Sequence, residues 1–166
     1  MKELSISDFN NNEIFNQNFI FNNCESLEKI NLSNFYNNQI INVDYIIFEC
    51  PSLKELNVYN FYNNKILNMN SIFSKCSSLK EFKASNFTNN KTLNIDTIFS
   101  DCPSLEEFSV SNFNNNEMGN TDYIFSGCSS LKILNIFDFC NNKKFNLKSL
   151  SSGDQNDLKI HNHSEN

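Results

Sequence analysis

The 166-residue sequence contains no arginine, only three glycines and two histidines, and no long hydrophobic run. Each absence removes a class of function. With no arginine, and with 13 lysines against 19 acidic residues for a net charge of −6, the chain lacks the basic stripe and the guanine-reading side chain of a nucleic-acid binder. The same charge opposes docking on an anionic membrane. No segment approaches the roughly 20 apolar residues of a membrane-spanning helix, so no membrane insertion is expected. The N-terminal stretch "MKELSISDFNNNEIF" has no apolar run of signal-peptide length. Three glycines leave no phosphate-cradling loop. The two histidines, His161 and His163, both lie in the C-terminal tail. No Cys or Ser of the body therefore has a histidine to act as its base. The expectation is a protein that is not an enzyme, with no catalytic residue, no metal site and no cofactor.

What is present is a repeat. Asparagine makes up about one residue in five, far above ordinary usage, and its placement is regular. Cys24, Cys50, Cys76, Cys102 and Cys128 recur at a fixed interval of 26 residues. Behind each comes the same pattern: "CESLEKINLSNFYNN", "CPSLKELNVYNFYNN", "CSSLKEFKASNFTNN", "CPSLEEFSVSNFNNN" and "CSSLKILNIFDFCNN". No insertion breaks the register. Repeats of this length mean a solenoid, in which stacked units bury one continuous core.

Each unit divides into two halves. In the first, Leu53, Leu56 and Val58 (or Leu79, Phe82 and Ala84) precede an aromatic three residues on, at Phe35, Phe61, Phe87, Phe113 and Phe139. The last apolar positions alternate with polar ones, which predicts a strand with one buried face. In the second half the period changes. Ile95, Ile98, Phe99 and Cys102 stand at i, i+3, i+4 and i+7, and Met69, Ile72, Phe73 and Cys76 repeat the spacing. That spacing predicts a short helix. Asn16, Asn42, Asn68, Asn94, Asn120 and Asn146 precede these segments as N-caps, and Asp44, Asp96 and Asp122 fall in the first turn. Pro51 and Pro103 end the segments. The doublets Asn37-Asn38, Asn63-Asn64, Asn89-Asn90, Asn115-Asn116 and Asn141-Asn142 are read as turns between the halves, stacked so that they bond from coil to coil.

The cysteines then close the apolar face, one per coil, as small buried hydrophobes. A column of parallel sulfurs does not converge on a metal and is poorly aimed for disulfides, so free thiols are expected. Cys140 differs: it replaces Tyr36, Tyr62, Thr88 or Asn114 of the other units and is read as a surface cysteine, with a reactive or intermolecular role as the alternative. The solenoid is expected over residues 1–150, about six units with the first incomplete. Residues 151–166 are read as a degenerate cap and polar tail, because Lys144, Ser151 and Asp154 break the apolar positions. "DLKIHN" is a candidate last strand, and His-x-His is read as part of a flexible tail.

The unit "IFSGCSSLKILNIFDF", residues 124–139, resembles the BspA-type leucine-rich repeat, which carries F-x-x-C-x-x-L-x-x-I-x-[IVL] in tandem. The resemblance covers residues 1 to about 150. It implies an α/β fold: a leucine-rich-repeat solenoid of 26-residue units with a parallel β-sheet on the concave face and short helices on the convex face. It also implies a surface or secreted protein concerned with adhesion and protein binding. This chain departs from the pattern in showing no leader and no anchor, and in having "SNF" where many members have a proline-containing return. The location therefore stays open between the cell surface, as the resemblance implies, and the cell interior.

A partner of such a solenoid meets the outward strand positions. Most carry mixed charge, as any solvated sheet does. The exceptions are Tyr59, an exposed aromatic in mid-sheet, and Ile133 with Phe137 near the C-terminal end. Exposed aromatics are enriched at interfaces. With Lys83 and Asn135 they form the candidate partner-binding set: Tyr59, Lys83, Ile133, Asn135 and Phe137. The other reading of Ile133 and Phe137 is that the C-terminal cap folds over them. The expected activity is non-catalytic binding of an unknown protein or glycan. The alternatives are an intracellular scaffold that associates edge to edge through its open first strand, and a truncated repeat copy with no role of its own.

Overall fold

Alternating apolar and polar residues become strands only where a neighbour satisfies the backbone, and here the neighbour is the next repeat. The computed structural model describes residues 1–8, 21–36, 46–63, 70–93, 97–118, 123–139 and 158–163. Nine strands lie in these segments: β1 Glu3–Ser7, β2 Phe21–Asn22, β3 Lys29–Tyr36, β4 Ile47–Phe48, β5 Glu55–Asn63, β6 Glu81–Leu93, β7 Glu107–Met118, β8 Ile133–Phe139 and β9 Lys159–His163. Seven form one parallel sheet in the order β1-β3-β5-β6-β7-β8-β9. Its register advances by the repeat length at every step: Leu4 pairs with Ile30, Ile30 with Leu56, Leu56 with Phe82, Phe82 with Phe108, Phe108 with Leu134 and Leu134 with Ile160. The chain is a parallel-sheet β-solenoid built on the 26-residue period.

A second ladder runs along the other side of the coils. β2 and β4 pair in parallel there, and single backbone bonds continue the line. Ile47 N–H donates to the Ile72 carbonyl at 2.8 Å, Phe73 to Ile98 at 3.0 Å and Phe99 to Ile124 at 3.0 Å. This is where the helical half was expected. No described residue is helical, and the described parts of that half, such as 97–101, are turns. Within them Ser74 N–H reaches back to the Ser71 carbonyl, Ser100 to Thr97 and Ser126 to Tyr123, one tight turn that goes no further. The reason is competition for donors. The Phe99 amide that a helix would use locally is bonded to the following coil. The proposed N-caps at Asn16, Asn42, Asn68, Asn94, Asn120 and Asn146 lie outside the described residues, as do Asp44, Asp96, Asp122, Cys140 and the boundary at residue 150.

The core lies between the two ladders. Leu53, Leu56, Leu79, Leu105 and Leu134 are fully buried, and so are Cys50, Cys76 and Cys102. Phe82 and Phe108 from the sheet interlock with Phe73, Phe99 and Phe125 from the turn side; Phe82 meets Phe99 edge-on with ring centres 4.5 Å apart. Phe61 and Phe87 stack at 4.7 Å with their planes 3° apart. Each such side chain contributes about 1.5–3 kcal/mol on leaving water, and no coil could bury its own set alone.

Two corners bend each coil, and both need positive φ. The first falls at Asp8, Asn34, Asn60, Asn86 and Asn112, with φ of 51–58°. The second falls just before each repeat cysteine, at Asn23, Glu49, Lys75, Asp101 and Gly127. The Asn doublets were expected to make the turn. Instead Asn89-Asn90 and Asn115-Asn116 continue as strand within β6 and β7, with Asn89 paired to Asn115; Asn37-Asn38 and Asn141-Asn142 lie outside the described residues. The bend is made earlier, by the Asn of "SNF". An L-residue there pays about 1–2 kcal/mol, which Asn and Asp reduce by local hydrogen bonding.

Candidate binding face

Side chains at alternate positions of the sheet strands point away from the core. On β5 these include Asn57 and Tyr59, with the buried Leu56 and Val58 between them. Tyr59 is 37% exposed, among the most exposed large apolar side chains described. Its register neighbours are Ser33 on β3 and Ser85 on β6. The ring therefore stands between two small hydroxyl residues, which leave its sides open.

Lys83, paired with Asn57, is a diagonal neighbour of Tyr59, while Lys29, paired with Glu55, stands four residues further down the strand on the other side. Lys83 Nζ is 2.8 Å from Glu81 Oε2, and Lys29 Nζ is 2.8 Å from Glu55 Oε2. The hydrogen bond that Lys83 donates to the Glu81 carboxylate raises its ammonium above the usual range, and the charge of Glu107 adds to this. Glu55 raises Lys29 in the same way. Glu55, Glu81 and Glu107 occupy successive places in one register column, so the face alternates lysines with a line of carboxylates. Asn57 donates to Asn31 Oδ1 at 2.8 Å, and Asn31 donates to Glu3 and Ser5.

The remaining predicted site residues stand apart from this cluster. Ile133, Asn135 and Phe137 all lie on β8 and are half-buried. From Tyr59 the column reads Ser85, Ser111, Phe137, so three coil steps separate the two aromatics. β9 lies alongside β8, pairing Ile133 with Lys159 and Phe137 with His163. β9 falls on the candidate last strand "DLKIHN", His161 included, and runs on to His163, which corrects the expectation that the His-x-His lies in a flexible tail. The structure brings together Tyr59 and Lys83 as one set, and Ile133, Asn135 and Phe137 as another.

Two features escaped the sequence reading. The first is a side-chain ladder at the Asn corner. Asn112 Nδ2 donates to Asn86 Oδ1 at 3.0 Å, Asn86 to Asn60 at 2.8 Å, Asn60 to Asn34 at 2.8 Å, and Asn34 to the Asp8 carboxylate at 2.8 Å. The signal was the 26-residue recurrence of the Asn in "SNF", overshadowed by the doublets that follow it. The second is Tyr123, 58% exposed, on the turn side of its coil.

The cysteine column is interior and its thiols are free at Cys24, Cys50, Cys76, Cys102 and Cys128. It also bonds between coils. Cys50 donates to the Phe21 carbonyl at 2.9 Å, Cys102 to Phe73 at 3.2 Å and Cys128 to Phe99 at 3.1 Å. Burial pushes the Cys128 thiol up to about 12 and raises Cys102 as well, so both stay protonated and poorly nucleophilic. Among the described residues no group of three or more His, Cys, Asp and Glu side chains is placed to hold a metal ion. Among the described residues no segment forms a helix long and apolar enough to cross a membrane.

Parallel coils, two corner columns and an outward face of small polar residues define a β-solenoid repeat protein. Within that class the chain belongs to the family described as "Mycoplasma protein of unknown function, DUF285", which matches residues 2–79 and 47–155. No curated protein and no solved structure shows significant similarity to it.

Proposed function

We propose that this chain is a non-catalytic interaction module that binds a protein or glycan through the outward face of its sheet, centred on Tyr59 and Lys83. The observation that carries the reading is Tyr59 itself. A half-exposed aromatic ring, flanked by Ser33 and Ser85 on a rigid parallel sheet, has no part in the core, and exposed aromatics of this kind are typical anchors of binding surfaces. Lys83, diagonal to the ring and paired with Glu81, supplies a donor beside it, and Lys29, paired with Glu55, supplies a second further along the same face. The finer reading, a BspA-type leucine-rich-repeat surface protein with a role in adhesion, draws its support from the F-x-x-C and L-x-x-L-x-L spacing and from the repeat fold.

The test is a binding screen of the immobilised chain against arrayed glycans and extracellular proteins, repeated with Tyr59→Ala and Phe137→Ala. Loss of a bound partner at least tenfold in Tyr59→Ala, with an unchanged melting temperature, is the expected result. A partner bound equally by the wild type and both variants would place the contact elsewhere and overturn the reading.

A further inference from the structure

We propose that a second copy of this chain docks head to tail on the first, its β1 adding to the outer edge of β9 and continuing the 26-residue register across the junction. Among the described residues β1 and β9 are the outermost strands of the sheet, and no described strand pairs with the outer edge of either. Such an edge is a row of backbone groups ready to pair. At each internal step two amides donate to one carbonyl of the coil before: Lys54 and Glu55 to the Glu28 carbonyl, Lys80 and Glu81 to Lys54 and Glu106 and Glu107 to Lys80. At the last step described Lys159 donates to Lys132. Leu158 carries the next carbonyl of this series, and Lys2 and Glu3 hold the corresponding first amides.

The side chains at the two ends are complementary in the same register. Position 3 of the incoming copy is Glu3, and its neighbour would be Lys159. Within the sheet this column already joins Lys29 to Glu55 at 2.8 Å. Lys159 has Ile133 as its own neighbour, so the described column gives it no internal carboxylate. The next column is apolar. Ile30, Leu56 and Leu134 in it are fully buried, while Ile160 at the end is 43% exposed and Leu4 at the start is half-buried. Docking puts Leu4 of one copy on Ile160 of the other and completes that column. One place is mismatched: Ile6 would follow Asn162, which stands in the column of Val110 and Ile136. Because this heterologous contact repeats the step from one coil to the next, it builds open rows.

Sedimentation of the 166-residue chain across a range of concentrations tests the proposal. The wild type should gain mass as concentration rises. Lys159→Glu should weaken association at least tenfold, as should Glu3→Lys, and an equimolar mixture of the two should recover it. Ile160→Asn, at an exposed position, should weaken association as well, whereas Asn162→Val should tighten it. Circular dichroism melts show that each variant is folded. A wild type that stays monomeric at the highest concentration overturns the proposal. So does association indifferent to Lys159→Glu and Ile160→Asn, or a charge-swapped mixture that does not recover. Tyr59→Ala should associate like the wild type, which separates this edge from the sheet face.

Discussion

Each coil turns two corners with the same backbone requirement, and meets it in two ways. At the front corner the positive-φ residue is Asn34, Asn60, Asn86 or Asn112, with Asp8 in the first coil. At the rear corner it is Asn23, Glu49, Lys75, Asp101 or Gly127. If left-handed backbone alone chose the residue, both columns would be Asn and Gly. The front column is uniform because its side chains also bond from coil to coil, each amide donating to the oxygen of the coil before. The rear column has no such ladder. Its best-tied member, Lys75, makes an ion pair to Glu49 at 3.3 Å and lies 5.0 Å from the Phe48 ring centre. Residue identity is therefore constrained by the bond a corner makes, more than by its φ.

The largest expected effect removes what both corners share. Leu79 is fully buried between them, and Leu79→Ala should cost about 2–5 kcal/mol, read by urea unfolding. A loss under ~0.5 kcal/mol would mean that the core lies elsewhere.

Next comes the front corner. Asn60 donates to Asn34 and accepts from Asn86. Asn60→Gly keeps the left-handed backbone and loses only these bonds, at about 0.5–1.5 kcal/mol each. Asn60→Ala should cost a further ~1 kcal/mol for the backbone. Equal losses in the two variants would remove the backbone term from the comparison.

The rear corner should respond in the opposite sense. Asp101 sits at φ 57° with an exposed side chain, so Asp101→Gly should be neutral or raise stability by up to ~1 kcal/mol. In the next coil the requirement is already met by Gly127, at φ +78° with its would-be Cβ 2.7 Å from Asp101 Oδ1 and 3.1 Å from Asp101 Cα. Gly127→Ala should lose about 1–3 kcal/mol. Stabilisation by Gly127→Ala would break the account of this corner.

The smallest effect lies on the exposed rim, away from both corners. Hydrogen bonds from Lys2 and Lys54 hold the Glu28 carboxyl down to about 2. Because its folded value is depressed, whatever stability the pair gives is present above the ordinary value of 4.5 and is lost as pH falls toward 2. Water around the largely exposed lysines and salt screening keep that contribution slight. An NMR titration should place Glu28 well below 4.5, and Lys54→Met should move it upward.

The repeat, the strand half and the interior cysteines were legible because they are questions of period. A 26-residue recurrence of Leu, Phe and Cys has one economical solution, which is to stack them. The described part of the predicted helix failed for the opposite reason. The spacing of Ile98, Phe99 and Cys102 satisfies a helical face and a stacked turn equally well, since both put residues three and four apart on one side. The candidate site was legible only in part. Alternation on β5 pointed Tyr59 outward, but nothing local could say that Lys83 stands diagonal to it on the next coil, or that Phe137 stands three steps away.

By itself, then, the sequence determined the period, the parallel register that follows from it, and which side chains enter the core, because apolar burial depends on residue type and spacing alone. Tertiary structure decided the partners. It made Asn60 a ladder residue and ran Asn89-Asn90 on as strand, sent the Cys102 thiol to a carbonyl of the preceding coil, and drew the Phe99 amide out of a helix. Hydrogen bonds are directional, and here their donors and acceptors face one another only after the coils have stacked.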